Sequence, residues 1–82
     1  MGSVLGFPGI DPQDAAVGAR LRRWRRARGM ALDDLAARLG LTPGEVRRAE
    51  SGRSHLNSVQ LGAATGALRL PLWALVSDSR AY

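Results

Sequence analysis

Apolar positions recur along this chain at intervals of three and four rather than two. Val17, Leu21 and Trp24 share one helical face. Ahead of them, Asp11-Pro12-Gln13-Asp14 reads as a helix start, with Asp11 as N-cap, Pro12 preset for the first helical position and Asp14 in the first turn. Gly29 is a natural stop, so the first helix is expected over about residues 12–28. Leu32, Leu35, Ala36 and Leu39 form the apolar face of a second helix, closed by Gly40. Thr42, Pro43 and Glu45 open a third through a capping box; Val46 and Ala49 face inward and Gly52 closes it. Asn57 and Gln60 make a second capping box before a fourth helix that turns Leu61, Ala64 and Leu68 to one side. Pro71 starts a last turn or two with Leu72, Leu75 and Val76. No segment alternates with period two over a useful length, so strands are not expected. The pattern predicts an all-α fold of five short helices.

Residues 1–10 break this periodicity. Three glycines and a proline oppose a helix there, yet Val4, Leu5, Phe7 and Ile10 are apolar. The segment is either a tail or an arm laid across its own domain or a partner subunit. Residues 11–78 then form one domain and residues 79–82 a short tail, in keeping with 82 residues in all. With no cysteine, disulfides and thiolate metal sites are excluded, and His55 alone cannot build a zinc site. No nucleophile–base set, carboxylate pair or phosphate loop is present, so an enzyme, a metal or a cofactor is not expected. No apolar run approaches the ~20 residues of a membrane span, and no secretory pattern opens the chain; a cytoplasmic, nucleoid-associated protein is expected. Charge sharpens the picture. Twelve basic residues, all arginine, face seven acidic ones, for a net +5. On a small domain this points first to a polyanion, most often nucleic acid.

The stretch Leu32–Gly52 carries the main motif. A small residue on the inner face of one helix (Ala36) is followed four positions later by Gly40, then by apolar Leu41, a capped helix, and inward Val46 and Ala49. The small side chain permits a close helix crossing and the glycine permits the turn. That is the spacing of a helix-turn-helix, although a compact bundle with tight turns would share it. The wider chain from about Val17 to Val76 resembles the Cro/repressor-type (XRE-like) helix-turn-helix regulators. The matching residues are Gly18, Leu21, Trp24-Arg25, Gly29, Leu35-Ala36, Leu39-Gly40-Leu41, Val46, Ala49-Glu50, Gly52, Leu61, Leu68 and Leu75. The resemblance implies a lambda-repressor-like five-helix domain that binds double-stranded DNA, and a structural ion pair between Arg25 and Glu50. The chain departs from the family pattern in three places: Ala31-Leu32 where Ser or Thr and then Gln are usual, Leu56 in place of a proline, and Pro43-Gly44-Glu45 at the start of the third helix.

At about 100° per residue, inward Val46, Ala49 and Glu50 place Gly44 and Arg48 on the outer line of the third helix, with Arg47 and Glu45 on its flanks. A helix in the major groove offers that line to base edges. Arg48 is the leading candidate base reader, because a guanidinium matches the two acceptors of guanine. Arg47 reads a base or holds a phosphate, Gly44 allows close approach, and Glu45 is either a reader of cytosine or only the capping-box glutamate. Thr42 at the cap, and Arg53, Ser54 and His55 in the loop beyond, are expected to follow the phosphate backbone. Asn57 is expected to cap a helix. In the first helix, Arg28 is expected to cover apolar surface with its stem, and the remaining arginines apart from Arg25 to spread over the solvent side. Leu70, Leu72, Trp73, Leu75 and Val76 exceed what a short helix buries alone, so Leu72, Trp73 and Val76 are expected at a homodimer interface. Two functions compete: a homodimeric, sequence-specific DNA-binding regulator of prokaryotic or phage type, and a module of the same fold whose apolar surface captures another protein, as an antitoxin or antiactivator does.

Overall fold

The computed structural model describes residues 10–76. Helix α1 spans Pro12–Ala27, α2 Leu32–Leu39, α3 Pro43–Glu50, α4 Ser58–Leu68 and α5 Trp73–Val76, with no strand among the described residues. Of the expected arm only Ile10 is described, and the expected tail at 79–82 lies outside the described residues.

Local chemistry sets where each helix begins. The Asp11 carboxylate accepts from the Gln13 N–H at 2.7 Å. Thr42 and Glu45 exchange side-chain and backbone bonds at 2.8 and 3.1 Å, and Asn57 and Gln60 do the same at 2.9 and 2.8 Å. Each of these satisfies donors that a helix N-terminus otherwise leaves unpaired. Helix α2 lacks this device, since Ala31 at its cap has no side-chain acceptor.

The ends share one geometry. After α2, Gly40 takes φ 70°, and the N–H of Leu41 returns to the Ala36 carbonyl at 2.9 Å. The left-handed residue reverses the chain within one turn and sends α3 back across α2. Helices α1 and α3 stop the same way at Gly29 and Gly52. Helix α4 also does so, but with Arg69 in the left-handed conformation at φ 59°. No glycine announces that stop in the sequence, and a side chain in this region is strained by roughly 1–2 kcal/mol.

Leu21, Leu35, Val46, Leu68 and Leu75 are fully buried, one from each helix, and Ala36, Leu39, Ala49, Leu56 and Ala64 complete the core. The small residues set the spacing. Gly18 on α1 lies so close to α3 that an added Cβ would sit well under 3.0 Å from the Ala49 carbonyl oxygen. Leu56, the departure from the family's proline, is a core residue at 6% exposure. No buried side-chain polar atom is left without a partner among the described residues.

Candidate nucleic-acid interface

Helix α3 is held from behind. Its inner face buries Val46, Ala49 and Glu50 against α1 and α2, which leaves Gly44, Glu45, Arg47 and Arg48 exposed. An added Cβ on Gly44 would meet nothing nearer than the Thr42 hydroxyl oxygen at 3.9 Å, so the front of the helix is open. Neither Arg47 nor Arg48 hydrogen-bonds through its guanidinium to another described residue. Glu45 differs, because one carboxylate oxygen accepts the Thr42 N–H and the group is tied to the helix start.

Glu50 is the hinge of the arrangement. Arg25 on α1 donates from Nε to Glu50 Oε2 at 2.6 Å and from Nη2 to Oε1 at 3.2 Å, a bidentate pair. Its Nη1 also donates to the Met30 carbonyl at 2.9 Å, just beyond the end of α1. The side chains are 14% and 6% exposed. Hydrogen bonding to Glu50 raises the Arg25 pKa above its ordinary value; burial opposes this, and the opposite charge adds to it. The pair locks α3 onto α1 in one orientation.

In front of the pair lies an open cleft of about 370 Å³ lined by Arg22, Arg25, Leu32, Arg47, Glu50 and Ser51. Arg22 from α1 and Arg47 from α3 meet there beside the first residue of α2. Ser51 at the end of α3 lines this cleft, whereas Ser54, His55 and Leu56 of the following loop line a second one with Asp14 and Val17. The Arg53 N–H donates to the Arg48 carbonyl at 2.9 Å, and the Arg53 side chain is exposed. Ser54 is half-buried. His55 Nδ1 lies 2.8 Å from Asp14 Oδ1, which ties the loop back to the start of α1.

A family model for the helix-turn-helix domain matches residues 16–72. The chain belongs to the helix-turn-helix domain family. Solved structures agree in shape. The clp gene regulator ClgR from Corynebacterium glutamicum superposes with a TM-score of 0.76 at 29% identity, pairing 79% of this chain with 69% of that one. The restriction-modification controller protein C.AhdI from Aeromonas hydrophila does so with a TM-score of 0.71 at 29% identity, over 76% of this chain and 94% of the other. The domain also resembles part of HppE, crystallised with iron(II) and a substrate, at 30% identity and a TM-score of 0.71; there 77% of this chain pairs with 36% of a longer one. No curated protein matches the chain.

Several residues of this helix-turn-helix domain make contacts that the sequence did not reveal, although Arg28 lies on the apolar side as expected. Arg20 is not on the solvent side of α1: its Nη1 donates to the Leu75 carbonyl at 3.1 Å. Arg28 packs over the Trp24 ring at 5.0 Å and its Nε donates to the Leu68 carbonyl at 2.8 Å, satisfying the end of α4. Asp14 and His55 are 41 positions apart and share no local signal. Arg22, Arg23 and Arg26 are the exposed arginines of α1. At the far end, Leu72 and Trp73 are 54% and 52% exposed, Leu75 is fully buried, and Val76 is half-buried against the core. Val59 on α4 is also exposed, at 79%. No described helix is long and apolar enough to cross a membrane.

Proposed function

We propose that this helix-turn-helix domain is a sequence-specific DNA-binding transcriptional regulator that acts as a homodimer in the cytoplasm. One observation carries the reading: α3 is held from behind by α1 and α2, and its open edge presents Arg47 and Arg48, whose guanidinium groups have no partner among the described residues. In this reading α3 enters the major groove and Arg48 reads guanine. Arg47 reads a base or, with Arg22 across the cleft, holds a phosphate. Gly44 lets the backbone approach. Thr42, Arg53 and Ser54 follow the phosphate backbone, and His55 joins them when it leaves Asp14. Glu45 serves the helix cap first. Leu72 and Trp73, flanked by Val76, supply the contact between copies.

Arg48→Ala and Arg53→Ala separate base reading from phosphate binding. A duplex enriched from a random pool by the parent protein, and a scrambled duplex, are titrated with each variant at several salt concentrations. Arg48→Ala is expected to cost about 1–3 kcal/mol on the enriched duplex and to flatten preference at one base pair per half-site. Arg53→Ala is expected to weaken both duplexes alike and to reduce the salt slope by about 0.9 for each phosphate that is no longer neutralised. Failure of the parent to enrich any duplex overturns the reading.

The half-exposed Leu72 and Trp73 favour a second reading, in which the same apolar surface captures a different protein. A parent that binds no duplex and elutes with a heterologous partner through Trp73 would select it.

A further inference from the structure

The open cleft of about 370 Å³ between α1 and α3 gathers charge of one sign. Arg22, Arg25 and Arg47 stand in its lining against a single carboxylate, Glu50. That carboxylate is already engaged, since both of its oxygens accept from Arg25. No other acidic side chain lines the cleft to answer Arg22 or Arg47, and both of these side chains are exposed. Like charges gathered in a concave, low-dielectric wall concentrate their field on the space in front of them. The helices are not free to part, because the Arg25–Glu50 pair fastens α3 to α1 behind the cleft. An anion seated there relieves the repulsion.

We infer that this cleft is a seat for one phosphate group, gripped jointly by Arg22 and Arg47, and that Arg47 is a phosphate ligand and not a base reader. A guanidinium presents parallel N–H groups that match a pair of phosphate oxygens. Two such forks, one from each helix, hold a single group more firmly than one surface arginine does. Arg25 adds to them. Each terminal nitrogen of a guanidinium carries a pair of N–H groups. Arg25 gives one from Nη1 to the Met30 carbonyl and one from Nη2 to Glu50, so each nitrogen keeps a spare donor. Ser51 adds none, because its N–H and hydroxyl go to the carbonyls of Arg47 and Arg48. Leu32 supplies an apolar wall, which suits the sugar beside a phosphate. Sites for small ligands run to roughly 300–1,000 Å³, so the cleft has room for a phosphate and its adjoining sugar and little more.

Two sources carry this chemistry: the phosphodiester backbone of a duplex, and free phosphate. The first deepens the DNA-binding reading and rests on it; the second does not. With Arg47 on the backbone, base preference falls to Arg48 alone among the arginines of α3.

The test follows the arginine Nε–H signals of the full chain by nuclear magnetic resonance. Inorganic phosphate, and separately a scrambled duplex, is added at constant ionic strength. The Arg22 and Arg47 signals should move together and saturate with one Kd, and Arg22→Gln should abolish the Arg47 response. Arg23→Gln, which removes an exposed charge of α1 outside the cleft, should leave that response unchanged. Saturation by the duplex alone assigns the seat to the DNA backbone, and saturation by inorganic phosphate extends it to free phosphate. On enriched and scrambled duplexes, Arg22→Gln and Arg47→Gln should each weaken binding about tenfold, equally on both. The double variant should lose much less than the product of the singles, because the two side chains share one group. A parent that binds no duplex yet gives the joint phosphate response removes the DNA reading and leaves the seat standing. A parent that enriches a duplex while Arg22→Gln binds it equally well, with no joint response to either probe, overturns the seat and leaves the DNA reading standing. Losses that multiply fully, or an Arg47→Gln variant that flattens preference at one base pair, overturn the seat as well.

Discussion

Removing one member of the Arg25–Glu50 pair should come close to unfolding the domain, and the two single changes should not cost the same. In Arg25→Met, Glu50 keeps a side chain only 6% exposed and loses both donors of its bidentate bond. An uncompensated buried charge of this kind costs about 3–5 kcal/mol. At roughly 0.05–0.15 kcal/mol per residue, 82 residues hold about 4–12 kcal/mol in total. In Glu50→Met the damage should be smaller, about 1–3 kcal/mol. Arg25 is 14% exposed against 6% for Glu50, and it keeps the Met30 carbonyl as a partner. The double variant should recover much of the Arg25→Met loss but not all, because the bond to Met30 stays broken. Urea unfolding followed by circular dichroism at fixed protein concentration measures this. With a slope of about 1 kcal/mol/M, a loss of ~3 kcal/mol moves the midpoint by ~3 M. Singles as stable as the parent, or a double variant that loses the sum of both, would refute the account of a buried, mutually dependent pair.

Gly18→Ala should destabilise by more than about 2 kcal/mol, since its methyl meets the rigid Ala49 carbonyl, whereas Gly62→Ala, with nothing within 4 Å, should stabilise by about 0.5–1 kcal/mol. Thermal unfolding of both compares the same substitution in two settings. Arg69→Gly should raise stability by about 0.5–1 kcal/mol by relieving the left-handed residue that ends α4; a loss would mean that the Arg69 side chain outweighs the strain. Trp73→Ala should weaken dimerisation in sedimentation analysis and leave helix content unchanged; unchanged association places the contact elsewhere.

The helix starts were legible because their chemistry is local. A cap and its N3 partner stand three positions apart, so Thr42 with Glu45 and Asn57 with Gln60 can be read without a third dimension. Three of the stops were legible through glycine. The fourth was not, because Arg69 takes the same conformation at a position where sequence gives no cue. The arginines of α1 divide along the same line. Spacing placed Arg28 on the apolar side of the helix, but neither spacing nor composition reveals that Arg20 and Arg28 end on the carbonyls of Leu75 and Leu68, which lie 55 and 40 positions away. Composition alone counts each as surface charge. At the candidate interface, helical arithmetic separated the outer line of α3 from its buried side, because that depends only on the helix period. The cleft that brings Arg22 beside Arg47 depends on the crossing of α1 over α3, which Gly18 sets.

The economy of this surface bears on how many copies must act. Arg20, Arg25 and Arg28 serve the fold, and Glu45 serves a cap, so in the proposed DNA-binding reading one α3 has Arg47 and Arg48 as its charged readers. A good bidentate contact discriminates by about 1–3 kcal/mol, which gives one domain about 2–6 kcal/mol when both arginines read bases. Specific binding of regulators typically exceeds their non-specific binding by about 4–10 kcal/mol. One domain reaches only the lower part of that range, and falls short of it when Arg47 is spent on a phosphate. Two domains, held by an apolar contact and reading half-sites one helical turn apart, cover it. The exposed Leu72 and Trp73 lie on α5 and the turn before it, outside the α2–α3 unit, so copies joined there, as proposed, would not use α3 for the contact.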